Sequence, residues 1–165
     1  MPSRPGTYAL VFRAPRSRVV RVGRLGAVRI RAGWYAYVGS AFGPGGLAAR
    51  IRHHLRRAGR PHWHLDYLGP AVRFSELWCS EDPRPREHLW ASVLRHTDGC
   101  SIPARGFGAS GCHCESHLLS FRHAPSIEHF RRRLREAARG HATVTRVRAA
   151  PPALGRSRRR PRRGR

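Results

Sequence analysis

The chain has 165 residues, 40% of them hydrophobic, which suffices for one modest core and one domain. It carries 33 basic residues, every one an arginine, against nine acidic ones, for a formal net charge of +24. No apolar run approaches the roughly 20 residues of a membrane span. The N-terminal stretch has too short an apolar segment for a signal peptide, so the expected location is cytoplasmic and no membrane partner is expected.

Such a charge attracts polyanions and releases counterions from phosphates, so the first expected partner is nucleic acid. The use of Arg without Lys can reflect genomic base composition. The scarcity of acids is not explained that way.

Residues 7–12 are β-branched and aromatic and predict a first strand. Residues 14–17 read as a turn, 19–22 as a second strand, 27–31 as an alternating continuation of the sheet, and 34–38 as a third strong strand. The short breaks favour antiparallel hairpins. A breaker cluster at 43–46 precedes Leu47, Ile51 and Leu55, which recur at helix period. Gly59 and Pro61 fit its end. Residues 72–79 alternate as a strand. Asp82, Pro83 and Pro85 introduce a second helix with Trp90, Val93 and Leu94 as its buried stripe, ended by Gly99. A loop rich in Gly, Ser and Cys covers 100–116, and 117–121 is a short strand. Ser126 caps a third helix carrying Ile127, Phe130 and Leu134, and 142–148 alternates as a last strand. Residues 151–165 contain seven Arg and one large apolar side chain, Leu154, and read as a disordered basic tail behind a folded unit at 1–150.

Tyr8 and Tyr37 lie at the ends of predicted strands beside Gly6 and Gly39, which would let the backbone bend tightly or a phosphate come close. Phosphodiester cleavage needs a proton acceptor for the attacking water and positive charge on the phosphate oxygens. Two aromatic residues packing a sheet would give the same pattern. Arg50 and His54, spaced i,i+4, project from one side of the first helix, whose exposed face also carries Arg52; a guanidinium there suits phosphate oxygens. Glu87 falls on the buried side of the second helix, three residues before Trp90 and seven before Leu94. A carboxylate facing inward needs an arginine or a hard divalent ion such as Mg²⁺ or Mn²⁺, although a glutamate in a first turn also suits the helix dipole. Glu76 is its rival. His62, Trp63, His64, Leu65 and Asp66 put two imidazoles and a carboxylate at alternate positions, where His64 and Asp66 could hydrogen-bond beside a site or line a polar rim around Trp63 and Tyr67. Cys112, Cys114 and His117, with Cys100 upstream, offer soft ligands, but Cys-x-Cys is tighter than the usual structural zinc spacing. Thiols pinning a Gly-rich loop are the preferred reading.

Gly6-Thr7-Tyr8, Tyr37-Val38-Gly39 and Arg50-x-x-x-His54, in that order, resemble the GIY-YIG nuclease superfamily. The stretches 35–41, 43–50, 62–68, 106–110 and 112–118 extend the likeness to a small microbial branch found in places joined to endonuclease III-like proteins. Thr7 and Val38 stand in place of isoleucines, and Gly111 in place of an acid. The resemblance implies an α/β (α+β) domain with a small central three-stranded antiparallel sheet flanked by helices, and metal-dependent cleavage of DNA in repair or processing. It implies Tyr8 and Tyr37 as the paired phenols, Arg50 as the phosphate-holding arginine with His54 in support, and Glu87 as the Mg²⁺ or Mn²⁺ ligand. Gly39, Arg52 and His64 are the expected substrate contacts. The readings from other classes are a binding module of the same fold that does not cut, and an RNA-associated basic protein.

Overall fold

The computed structural model describes residues 3–55 and 61–149. The proposed basic tail and the expected helix cap at Gly59 lie outside the described residues. Strand β1 (Gly6–Ala14) is followed by β2 (Arg18–Val22), β3 (Gly26–Ile30) and β4 (Gly33–Ala41). Helix α1 (Gly46–Leu55) precedes a 3-10 helix (His64–Ala71) and β5 (Arg73–Ser80). Helix α2 (Glu87–Arg95), the short strands β6 (Cys100–Ser101) and β7 (Leu118–Phe121), helix α3 (Ile127–Ala137) and β8 (Thr145–Arg148) complete the order.

The fold is α+β. Among the described residues its main sheet has six antiparallel strands in the order β6-β7-β4-β1-β5-β8, not three. Strands β4, β1 and β5 form its middle. Strands β5, β7 and β8 answer the expected strands at 72–79, 117–121 and 142–148, while β6, two residues long inside the expected 100–116 loop, shows no apolar period of its own. A second correction concerns 19–22 and 27–31, which do not continue this sheet. They pair with each other as a separate ribbon, β2-β3.

β1 is central and buried on both faces, which explains its nearly unbroken apolar run. Tyr8, Leu10 and Phe12 join Tyr35 and Tyr37 of β4, Leu47 and Ile51 of α1, and Leu65 and Leu68 of the 3-10 helix in one core. Ala9, Val11, Ala36 and Val38 turn the other way and meet Trp90 and Leu94 of α2 and Phe130 and Leu134 of α3. Trp90 meets Phe130 edge to face at 5.0 Å between ring centroids, a pairing worth about 0.5–1.5 kcal/mol beyond area burial. Ser126 caps α3 as expected, its Oγ accepting the amide of His129 at 3.2 Å. The result is three layers: α1 with the 3-10 helix, the sheet, then α2 with α3. No described helix is long and apolar enough to cross a membrane.

Candidate functional site

The antiparallel register of β1 and β4 pairs Tyr8 with Gly39 and Leu10 with Tyr37, so both phenols leave the sheet on the α1 side. There His54, on the last turn of α1, lies between them. Its Nε2 is 2.9 Å from the Tyr8 hydroxyl, and its ring centroid is 6.0 Å from that of Tyr37. Its Nδ1 is 2.9 Å from Asp66 Oδ1. The His54 side chain is only 1% exposed.

The protonation pattern follows from the partners. Burial pushes the Asp66 carboxyl up, but the amides of Trp63 and His62 and the rings of His54 and His53 all hydrogen-bond it and together hold it at about 2. A carboxylate only accepts, so His54 Nδ1 carries the hydrogen. Burial pushes the imidazole below its ordinary value, against the opposing pull of Asp66, so His54 is neutral near pH 7. Nε2 then presents a lone pair and the Tyr8 hydroxyl donates to it. Burial, then the neighbouring Tyr37, raises Tyr8 well above the ordinary phenol range; the nearby Arg50 charge works against this. Burial likewise pushes Tyr37 up to about 12, with Arg50 opposing. Asp66, His54 and Tyr8 thus form one line along which a proton can pass.

Arg50 stands one turn before His54 on α1. Its guanidinium lies 4.2 Å over the Trp63 ring, and its charge acts on both phenols. Arg52 is on the exposed side of the helix and is not brought into the group. His64 corrects the expected His64–Asp66 hydrogen bond. Residues 64–71 wind as a 3-10 helix, not a strand, so alternate residues do not share a face. Asp66 reaches back to the amides of His62 and Trp63 and across to α1, while His64 Nδ1 accepts the amide of Gly108 at 2.9 Å.

Gly39 is occupied from within. A Cβ there would meet the Tyr8 hydroxyl at 2.5 Å, and one on Gly6 would strike the Ser80 carbonyl. Both glycines make room for the protein's own atoms, not for a phosphate. Gly39→Ala is expected to lower stability by about 1–3 kcal/mol through displacement of the buried phenol, read as a fall in the urea midpoint. An unchanged midpoint would show that Tyr8 can leave this glycine freely.

Glu87 opens α2, whose apolar stripe packs on the opposite face of the sheet from the phenols. It lies near the end of β1, where the neighbouring Arg86 amide donates to Thr7 Oγ1 at 3.0 Å, and its charge adds to the rise in the Tyr8 pKa. Its side chain is 17% exposed; Oε2 is shielded from solvent yet has no hydrogen-bond partner among the described residues, and Oε1 is 3.8 Å from His88 Nε2. An orphaned carboxylate oxygen fits a hard cation completed by water and phosphate. Glu76 does not fit that role. It accepts from Trp78 Nε1 at 2.9 Å and pairs with Arg146 and Arg148 at the far edge of the sheet.

A second group was only partly legible in the sequence. His88 of α2, Cys112 and Cys114 of the loop and His117 before β7 offer four ligand atoms, all within 4.8 Å of one another, and could hold a metal ion. Cys100 is not among them; its thiol points to the Ser101 carbonyl on β6. Nothing in the local pattern singled out His88, because it comes from another element.

No curated protein and no solved structure matches the chain. Residues 7–139, from the first tyrosine motif through α3, match one family model, so the chain belongs to the family described as domain of unknown function DUF123.

Proposed function

We propose that this protein is a GIY-YIG-like, divalent-metal-dependent endonuclease that hydrolyses phosphodiester bonds in DNA. The observation that carries the reading is the Tyr8–His54–Asp66 line, with Tyr37 and Arg50 beside it. A raised phenol pKa makes resting phenolate a poor option. Neutral His54 supplies the alternative: as Tyr8 takes a proton from the attacking water, its own proton passes to His54 Nε2. Asp66 stabilises the imidazolium that forms. The hydroxide oxygen bonds to phosphorus, and the bond from phosphorus to the leaving oxygen breaks. Arg50, held over the Trp63 ring, presents its N–H groups to the non-bridging oxygens. Glu87 would hold Mg²⁺ or Mn²⁺, which when bound supplies positive charge to the phosphate. Gly39 seats Tyr8, and His64 holds the Gly108 loop against Tyr37, so both act through positioning. The excess of Arg supplies affinity for the polyanion.

A non-cutting binding module is favoured by one observation, the placement of α2 on the face away from the phenols. Glu87→Gln separates the two. The nuclease reading expects loss of Mg²⁺- or Mn²⁺-dependent nicking by at least about 10²-fold with DNA affinity kept. A wild-type protein that nicks no branched, flapped, duplex or single-stranded DNA with either ion refutes the nuclease. Preference for RNA over DNA in a salt titration would instead favour the RNA-associated reading.

A further inference from the structure

We infer that His88, Cys112, Cys114 and His117 form a closed tetrahedral zinc site that clips the 102–117 loop to the first turn of α2. The inference is independent of the nuclease reading. His88 Nδ1 lies 3.2 Å from Cys114 Sγ, and Cys112 Sγ lies 3.5 Å from His117 Nε2. Zinc bonds of about 2.3 Å to sulfur and about 2.0–2.1 Å to nitrogen give sulfur–nitrogen edges of about 3.6 Å in a tetrahedron. The four ligand atoms are therefore already near bonding positions, and their greatest separation of 4.8 Å closes with small side-chain movements.

The spacing objection to Cys-x-Cys is met by the fold. Three ligands come from one loop, and the fourth arrives from α2, so the two cysteines need not span the site alone. Gly108, at φ 72°, turns that loop, and the Cys112 amide closes a turn on the Ala109 carbonyl at 3.2 Å. Two thiolates and two neutral imidazoles suit Zn²⁺ and leave no open position for a water, which marks the site as structural. Loading releases the two thiol protons as the two zinc–sulfur bonds form, and the site's net charge is zero.

The consequence for the fold is specific. His117 donates its amide to the Phe107 carbonyl and accepts the amide of Val38 on β4. Phe107 packs edge-on to Tyr37, and a Cβ on Gly108 would meet that ring at 2.8 Å. His88 follows Glu87 directly. One ion would thus fix the loop that packs on Tyr37 and the helix turn that carries Glu87.

The test uses the full chain, expressed with added zinc sulfate and desalted without chelator. About one zinc per chain by elemental analysis is expected. Refilling stripped protein with cobalt chloride should give the intense visible bands of tetrahedral cobalt with a thiolate charge-transfer band in the near ultraviolet. Stripping should lower the melting temperature by about 10 °C. The Cys112→Ser/Cys114→Ser double variant should lose zinc and the cobalt spectrum, whereas Cys100→Ser and Glu87→Gln should keep both. If the double variant does not fold, a mercurial titration of folded wild type replaces it, with zinc release tracking the blocking of two thiols. Folded wild type without zinc or the cobalt spectrum, zinc retained after loss of both cysteines, release that does not track thiol blocking, or a Cys112–Cys114 disulfide in the intact mass would each overturn the site. Zinc retained by a Glu87→Gln protein that still nicks would refute the role of Glu87 and leave the zinc site standing.

Discussion

Tyr8→Phe is expected to slow metal-dependent nicking about 10²–10⁴-fold near neutral pH, with DNA affinity unchanged. Phenylalanine fills the same buried space over Gly39, so the loss in stability is limited to the hydrogen bond to His54, about 1 kcal/mol. Plasmid nicking, fluorescence anisotropy with labelled DNA and a urea titration read the three quantities separately. Full activity in this variant would remove Tyr8 from the proton path and leave it as a packing residue. A collapse of the fold with activity per folded molecule intact would lead to the same conclusion.

Asp66→Asn should be nearly as damaging, through the tautomer of His54. The amides of His62 and Trp63 both donate to Asp66 Oδ2 and are fixed by the backbone. An asparagine must place its oxygen there, so its NH₂ faces His54 Nδ1. The imidazole then has to accept at Nδ1 and carry its hydrogen on Nε2, where it can no longer take the Tyr8 proton. A loss of about 10²–10⁴-fold follows, with Arg50 and Glu87 untouched. The pH profile carries the same information. Wild-type kcat/KM should rise as pH increases through the His54 pKa, which burial places below 6.5. Protonation below that point removes the lone pair. Stability should follow the same sign. The unfolded chain binds protons at His54 and Asp66 at higher pH than the folded one, so stability is full above the unfolded values and is lost as pH falls through the folded ones. For Asp66, lowered from 3.8 to about 2, the contribution is about 2 kcal/mol, lost progressively from about pH 4 down to about pH 2. An acid limb equal in wild type and Asp66→Asn would dissociate His54 from the reaction.

Some of this arrangement could be read directly from the chain. Leu47 and Ile51 at a spacing of four placed α1 and, with it, Arg50 and His54 on one side of the helix. Ser126 followed by an apolar stripe located α3, and Trp90 with Leu94 oriented α2. These features depend on residues within a turn or two of each other, where periods of 3.6 and 2 govern which side chains share a face. The His62-to-Asp66 stretch defeated the same logic. Its alternation left strand and helix both open, and packing against the sheet decided between them, burying Leu65 and Leu68 on a helical turn under α1.

Local spacing was enough to put Arg50 and His54 on one side of α1, because the helix period sets that face before the chain collapses, whereas their grouping with Tyr8 and Tyr37 rested on the resemblance to the GIY-YIG superfamily. Which partner each group meets was settled by long-range packing. His54 reaches Tyr8 across 46 residues and Asp66 across 12, and His88 meets Cys114 across 26. The side of the sheet on which α2 lies, and hence where Glu87 stands relative to the phenols, was decided in the same way. Those relations depend on strand order and on the burial of two separate cores, a property of the whole assembled surface that no window of neighbouring residues encodes.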